Sequence, residues 1–176
     1  MRDYFLPQTS IGIVESSSGH GIVNTMRIRL LRIKDLKYVR EIVRANYSKL
    51  YEKLAVREIK DMFIETSIRP TYFVAEESNK VIGFAGFIQS MIDYGVYQIF
   101  WVNVHPKWQK RGIGRKMVSK IIGEIKKRND SRLIILSADQ TIGNQNYYKK
   151  IFGFRNIQNY EKGKSCLMSL SLEKLK

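Results

Sequence analysis

The segment Gln109-Lys110-Arg111-Gly112-Ile113-Gly114-Arg115 follows an apolar run that ends in Val102-Asn103-Val104-His105-Pro106. Beyond it, apolar residues recur at helical spacing as far as Ile125, which predicts an amphipathic helix beginning near residue 113. The first N–H groups of a helix lack partners within it, and the helix dipole adds positive charge there, so an anion is favoured. Gly112 and Gly114 keep side chains away from the main chain. The pattern therefore predicts a loop that binds a diphosphate.

A basic turn that merely leads into a surface helix is the simpler alternative for this segment. Two glycines separated by one residue are weak evidence when taken alone. The segment is not a dinucleotide-binding fingerprint, because the third glycine is missing, and it is not a Walker A loop, because no Gly-Lys-Ser/Thr follows. Its context in the chain has to decide between the two interpretations.

The same region resembles motif A of the GNAT N-acetyltransferase superfamily, whose pattern Gln/Arg-x-x-Gly-x-Gly/Ala binds the pyrophosphate of acetyl-coenzyme A. Gln109 opens this pattern, and the preceding apolar run looks like the fourth strand of the family. Downstream, residues 132–138 look like the fifth strand, and Tyr147-Tyr148-Lys149-Lys150-Ile151-Phe152-Gly153-Phe154 is similar to the family's Tyr-to-Gly-Phe block. The resemblance covers roughly residues 26–172.

This resemblance implies an α/β fold with a mixed, mostly antiparallel twisted sheet and helices on both faces. The fourth and fifth strands would be parallel and would splay apart, so that the pantetheine arm of acetyl-coenzyme A enters between them. The implied reaction is direct transfer of an acetyl group to a primary amine of a small molecule or a protein. The residues expected to bind the cofactor are Val102, Asn103, Val104, Gln109, Lys110, Arg111, Gly112, Ile113, Gly114, Arg115, Asn144 and Tyr148.

Two catalytic roles are implied by the resemblance. Tyr148 matches the tyrosine that protonates the leaving thiolate, while Tyr147 is expected to be the core residue of the pair. Backbone N–H groups near Val104 would stabilise the oxyanion. The block departs from the family in two ways, because its Tyr-to-Gly-Phe spacing is one residue longer and because Thr141 stands where an Asn is usual. Asn144 is the nearby substitute.

The general base is not identified by the resemblance. Relatives use a glutamate on the fifth or the fourth strand, and this chain has Leu136 and Gln98 at those positions. A water relayed by Gln98 is one solution, and the carboxylates of Glu76, Glu77 or Asp139 are others. Neutralising a lysine-like amine at pH 7 costs about 4 to 5 kcal/mol, against about 1 to 1.5 kcal/mol for an α-amine. An α-amine or another weakly basic nitrogen is therefore the easier acceptor.

Hydrophobic periodicity predicts one domain over residues 26–176, preceded by an extension, a hairpin or an arm, over residues 1–25. Asp35 is expected to cap the first helix. The predicted strands are 26–33, 71–77, 81–89, a strand ending near 104, 132–138, 154–160 and 165–172, and the predicted helices are 35–51, 56–66, 113–128 and 144–152.

The chain has 176 residues, a formal net charge of +15 and a single cysteine, Cys166. The lone thiol and the lack of a long apolar run indicate a cytoplasmic protein without a disulfide framework or membrane span. Ten basic residues but only two acidic ones lie between Lys107 and Arg132, a field that would attract a polyanionic cofactor or nucleic acid. A nucleic-acid-binding protein and a non-catalytic acyl-coenzyme A sensor thus stay open as alternatives, as does a homodimer. No metal site is expected, because no cysteine or carboxylate cluster surrounds His20 or His105 at metal-ligand spacing.

Overall fold

A seven-stranded mixed sheet forms the centre of the protein in a computed structural model that describes residues 26–139 and 144–172. The strand order is β1-β2-β3-β4-β5-β7-β6, and every neighbouring pair is antiparallel except β4 with β5. The strands are β1 (Arg27–Leu30), β2 (Thr71–Glu77), β3 (Lys80–Gln89), β4 (Val96–Val104), β5 (Leu133–Asp139), β6 (Arg155–Tyr160) and β7 (Ser165–Ser171). The predicted fold class is confirmed.

Within the described residues, four α-helices cover the two faces of this sheet. They are α1 (Leu36–Asn46), α2 (Lys49–Lys60), α3 (Ile113–Lys126) and α4 (Asn144–Phe152). The apolar stripe of α3, which includes Met117 and Ile121, packs with Tyr97, Ile134 and Met168 in one core cluster. On the opposite face, α1 and α2 form a second cluster with β2 and β3, built on side chains that include Ile42, Ile59, Tyr72, Val74 and Phe84. Because adjacent strand residues point to opposite faces, one sheet serves both cores.

The long helix predicted from Asp35 to Tyr51 is wrong, because the chain breaks into two helices. Tyr47 ends α1 with φ −136° and ψ −121°, and Ser48 is extended before α2 begins. The break turns Tyr47 and Leu50 away from the core, where the helical pattern would have placed them, and leaves both exposed. The two helices therefore fold back on the same face of the sheet.

Asp35 does not cap α1 as expected, because its carboxylate is used elsewhere. It accepts a hydrogen bond from the Arg32 N–H at 2.8 Å and pairs with Arg29 at 2.6 Å. Arg29 also pairs with Glu76 of β2, which Arg27 contacts at 2.6 Å. Burial alone would raise the pKa of Asp35 and of Glu76, but the arginine hydrogen bonds offset it and hold both pKa values below the usual range.

Within the described ranges, no helix has the length and apolar content needed to cross a bilayer. The extension predicted for residues 1–25 lies outside the described residues.

Replacing Arg29 with alanine should lower the free energy of unfolding by about 3 kcal/mol, because it leaves two buried carboxylates without their shared cation. Arg27→Ala is the matched control and should cost less than about 1 kcal/mol, since the Arg27 side chain is 63% exposed. Urea denaturation at pH 7 measures both values.

The difference between wild type and Arg29→Ala should shrink with acidification. Asp35 and Glu76 have lowered pKa values, so their contribution is present above about pH 4 and is lost as the pH falls through the folded-state pKa. Equal losses for the Arg27 and Arg29 variants at pH 7 would show that the buried network adds nothing beyond a surface pair.

Candidate active site

Strands β4 and β5 are paired at their beginnings and separate towards their ends. The pairing runs from Val96 opposite Leu133 to Ile99 opposite Leu136 and then stops. The His105 N–H donates to Ile82 of β3 at 2.9 Å, so the alternation of a strand turns the backbone groups of Val104 and Val102 the other way, towards β5. In the described part of the chain, no strand pairs with β4 on that side beyond Ile99.

A bulge in β4 lies where the separation begins. The register with β3 shifts by one residue there, and Trp101 adopts φ 52°, a left-handed conformation that is rare for a bulky side chain. The indole N–H of Trp101 donates to the Glu58 carboxylate of α2 at 2.5 Å. The Tyr47 ring meets the indole edge-on, with centroids 6.4 Å apart. The bulge is therefore fixed by Tyr47, at the α1–α2 corner, and by Glu58 of α2.

The loop before α3 exposes backbone donors. Lys110 and Gly112 both have left-handed φ values, 63° and 74°, in a turn of the kind that forms backbone anion nests. The first bond of the helical ladder runs from Lys116 N–H to Gly112 C=O at 3.1 Å. The N–H groups of Ile113, Gly114 and Arg115 come before it and lack a helical acceptor. Residues 110–115 are called the anion loop below.

Close packing within the protein does not require glycine at the two glycine positions of the anion loop. A Cβ built on Gly114 would lie 4.0 Å from Tyr147 Oη and from Val104 Cγ2, which is ordinary contact. A Cβ on Gly112 would meet nothing within 4 Å, although the positive φ of Gly112 favours glycine. The space over both residues is open, and in it a ligand could approach the main chain closely.

The anion loop carries exposed positive charges. Lys110, Arg111 and Arg115 are exposed, and none forms an ion pair with a residue that the structure describes. His105 shapes the preceding turn, since its Nδ1 accepts the Lys107 N–H at 3.2 Å. Burial, with the charges of Lys80 and Lys107, lowers the pKa of His105 and keeps this acceptor neutral.

Two residues expected to contact the cofactor are already engaged within the protein. The Gln109 side chain donates to the Val104 carbonyl at 3.0 Å and to Asn46 at 3.1 Å, and its N–H donates to Pro106. Asn103 is 4% exposed, and its side chain accepts from Asn46 at 3.2 Å. Sequence reasoning missed Asn46, which lies 57 residues before its partner Asn103 and has no local signature.

The two tyrosines of the Tyr-to-Gly-Phe block differ from expectation. Tyr148, and not Tyr147, is the more buried of the pair, because it packs against the rings of Phe152 and Phe154 in the core. Burial, with the nearby phenols of Tyr147 and Tyr47, raises the pKa of Tyr148 well above the ordinary value. Tyr147 is half-buried beside Gly114.

The candidate bases are spread over the sheet. Gln98 is exposed in the paired part of β4, before the bulge, between Ile88 of β3 and Ile135 of β5. The Glu76 carboxylate is committed to its arginines, two strands away from β4. Asp139 lies at the end of β5, and its charge helps to raise the pKa of Tyr47.

Asn144 begins α4, but its side chain and Thr141 lie outside what the structure describes. Among the described residues, no group of three or more His, Cys, Asp or Glu side chains is placed to hold a metal ion.

Solved structures share this architecture at low sequence identity. A protein assigned to the GNAT acetyltransferases from Desulfovibrio desulfuricans superposes with a TM-score of 0.75 at 16% identity, over 85% of this chain and 100% of that one. The ribosomal-protein-S18-alanine N-acetyltransferase of Escherichia coli gives 0.68 at 18% identity, over 86% and 97%. A GNAT acetyltransferase from Brucella melitensis in complex with acetyl-CoA gives 0.63 at 24%, over 86% and 90%.

No curated protein sequence matches the chain significantly. The sequence profile of the acetyltransferase (GNAT) family does match, over residues 36–154, which include β4, the anion loop, β5 and the Tyr-to-Gly-Phe block. The separated strands and the exposed helix N-terminus thus lie within the matched segment, and the chain belongs to the GNAT acetyltransferase family.

Proposed function

We propose that this enzyme transfers the acetyl group of acetyl-coenzyme A directly to a weakly basic primary amine. The observation that carries the proposal is the separation of β4 from β5, which opens directly onto the anion loop. Strand backbone that faces the gap, including the Val104 N–H, and helix N–H groups that lack a helical acceptor meet there. Together they suit a ligand that joins an extended amide arm to a diphosphate.

The residues present fit such a ligand. The N–H groups of residues 113–115 would hold the diphosphate, with Lys110, Arg111 and Arg115 adding full charges. The gap-side backbone of Val102 and the N–H of Val104 would bond to the amides of the arm. Gly114 leaves room that a larger side chain would fill. Asn103 and Gln109 support these contacts indirectly, because their side chains bond to Asn46 and to the Val104 carbonyl.

Tyr148 is assigned the acid role. The amine nitrogen bonds to the acetyl carbon as the carbon–sulfur bond breaks, the departing thiolate takes the phenolic proton, and a proton released by the amine restores the phenol. A tyrosine is protonated at neutral pH, so the Tyr148 O–H can donate a hydrogen bond to the sulfur.

The acceptor is assigned as a weakly basic amine because the two strand positions at which relatives carry a glutamate hold Gln98 and Leu136. Gln98 cannot take a proton, although its exposed amide could hold a water molecule. An α-amine costs about 3 kcal/mol less to neutralise at pH 7 than a lysine side chain. The alanine acceptor named for the Escherichia coli neighbour is compatible with this class.

Replacing Gly114 with valine should strongly weaken cofactor binding without unfolding the protein. The new side chain would fill the space above the anion loop, and losing two charge-assisted hydrogen bonds at about 1.5 to 3 kcal/mol each weakens binding by at least about 100-fold. Isothermal calorimetry with acetyl-coenzyme A measures the loss.

Gly123→Val is the matched control, because Gly123 lies on the same helix and a Cβ there would meet nothing within 4 Å. It should bind acetyl-coenzyme A like wild type. Unchanged binding by Gly114→Val would show that the diphosphate does not lie over the anion loop.

Replacing Tyr148 with phenylalanine should lower kcat by about 10- to 100-fold, because it removes one hydrogen bond to a charged atom. The KM for acetyl-coenzyme A should stay within about twofold of the wild-type value. Tyr147→Phe, the neighbouring change, should have a much smaller effect. Steady-state kinetics of both variants test the assignment, and a larger loss for Tyr147→Phe would transfer the acid role to that residue.

The function itself is tested by calorimetry with acetyl-coenzyme A, followed by mass spectrometry of a panel of peptides and small amines. Acetylation of α-amines in preference to lysine side chains is the expected result. Cofactor binding with no product from any amine would favour the sensor, and salt-sensitive RNA binding that coenzyme A does not displace would favour the nucleic-acid alternative.

A further inference from the structure

Three side-chain amides join the end of α1 to the two parts of the candidate active site. Asn46, the last residue of α1, donates to the Asn103 side chain at 3.2 Å and to the Val104 carbonyl at 3.1 Å. Gln109 donates to the Asn46 side-chain oxygen at 3.1 Å and to the same Val104 carbonyl at 3.0 Å. Asn46, Asn103 and Gln109 are called the amide clamp below.

The amide clamp spans the point where β4 ends and the anion loop begins. Val104 is the last residue of β4 and faces the gap, whereas Gln109 lies just before the residues whose N–H groups are free. The intervening turn alone connects them along the chain. Because Asn46 contacts both sides of that turn, it sets the position of the anion loop relative to the strand.

The Val104 carbonyl is fully used by the amide clamp. A carbonyl oxygen has two lone pairs, and the amides of Asn46 and Gln109 supply two donors. A ligand that lies along β4 therefore finds the Val104 N–H available but its C=O occupied. The amide clamp thereby determines which group of the arm can bond at this position.

Asn46 also connects the end of β4 to the bulge in the same strand. The next residue, Tyr47, packs against Trp101 of the bulge and against Tyr51 of α2, with ring centroids 6.4 and 5.4 Å apart. The Tyr47 phenol lies beside the Asn103 side chain. A shift at the end of α1 would therefore reach the anion loop and the bulge together.

We infer that Asn46 is a positioning residue for acetyl transfer, which holds the end of β4 and the anion loop in the one geometry that accepts the acyl donor. This inference rests on the proposed function. Asn46 does not touch the reacting atoms and acts through Val104 and Gln109. Without it, the two binding surfaces move independently, and a ligand that must contact both binds less tightly.

The test is a double-mutant cycle in cofactor binding. Asn46→Ala and Gln109→Ala should each raise the Kd of acetyl-coenzyme A by about tenfold. The Kd of the double variant should not exceed the higher of the two single-variant values, because both changes open the same clamp. Asn129→Ala, an exposed asparagine beyond α3, is the matched control and should bind like wild type. Calorimetry gives the Kd values, and thermal unfolding confirms that each variant is folded.

Asn46→Asp provides a second test of the role of Asn46, and it can be used if the alanine variant does not fold. The carboxylate keeps an acceptor for Gln109 but removes both donors, so the variant should resemble Asn46→Ala and not wild type. High salt, about 0.5 M, screens its added charge during the measurement.

The outcomes distinguish a failure of the proposed function from a failure of the role assigned to Asn46. Wild-type protein that does not bind acetyl-coenzyme A would overturn the proposed function. Wild-type protein that binds, together with Asn46 variants that bind equally well, would overturn only the role of Asn46. Strictly additive losses in the cycle would also overturn it, since they would mean that Asn46 and Gln109 act separately.

Discussion

The separation of β4 from β5 is the constraint on which the rest of the site depends. Parallel strands normally satisfy each other's backbone groups, but here the pairing stops at Ile99 and Leu136. The bulge at Trp101 bends β4 away, and its left-handed backbone is unfavourable for a bulky residue. Trp101 stays in that conformation because Glu58 accepts its indole N–H and the second core holds its ring. The open gap is therefore maintained by α2.

Both halves of the candidate site are positioned by the same pair of helices. Glu58 of α2 fixes the bulge, and Asn46 of α1 fixes the end of β4 with the anion loop. The break at Tyr47 and Ser48 lies between these two contacts and is what lets both helices face β4. If the chain had continued as one helix beyond Asn46, either Glu58 or Asn46 would have been carried away from its partner. The break between α1 and α2 thus determines the geometry of the gap.

Sequence reasoning predicted the parts of the protein that have local signals. The apolar period of α3 and the glycines near its start placed the beginning of that helix, and the buried runs placed β4 and β5. The missed features depend on contacts between residues far apart in the chain: Trp101 lies 43 residues from Glu58, and Gln109 lies 63 residues from Asn46. The helix break was missed because Tyr47 and Leu50 continue the apolar pattern although the structure exposes them. The order of burial of Tyr147 and Tyr148 was reversed because adjacent aromatics carry no period of their own.

The charge pattern along α3 favours a compact anion at the helix N-terminus over a long polyanion along the helix. Further along, Lys120 and Lys127 share the carboxylate of Glu124 at 2.9 and 2.8 Å, so part of that surface is neutralised internally. The cations at the anion loop have no such partner among the described residues, and the helix dipole adds to their field at that end only. A nucleic acid would gain from an even row of free charges, whereas a diphosphate needs them concentrated where the N–H groups are free. The distribution matches the second requirement.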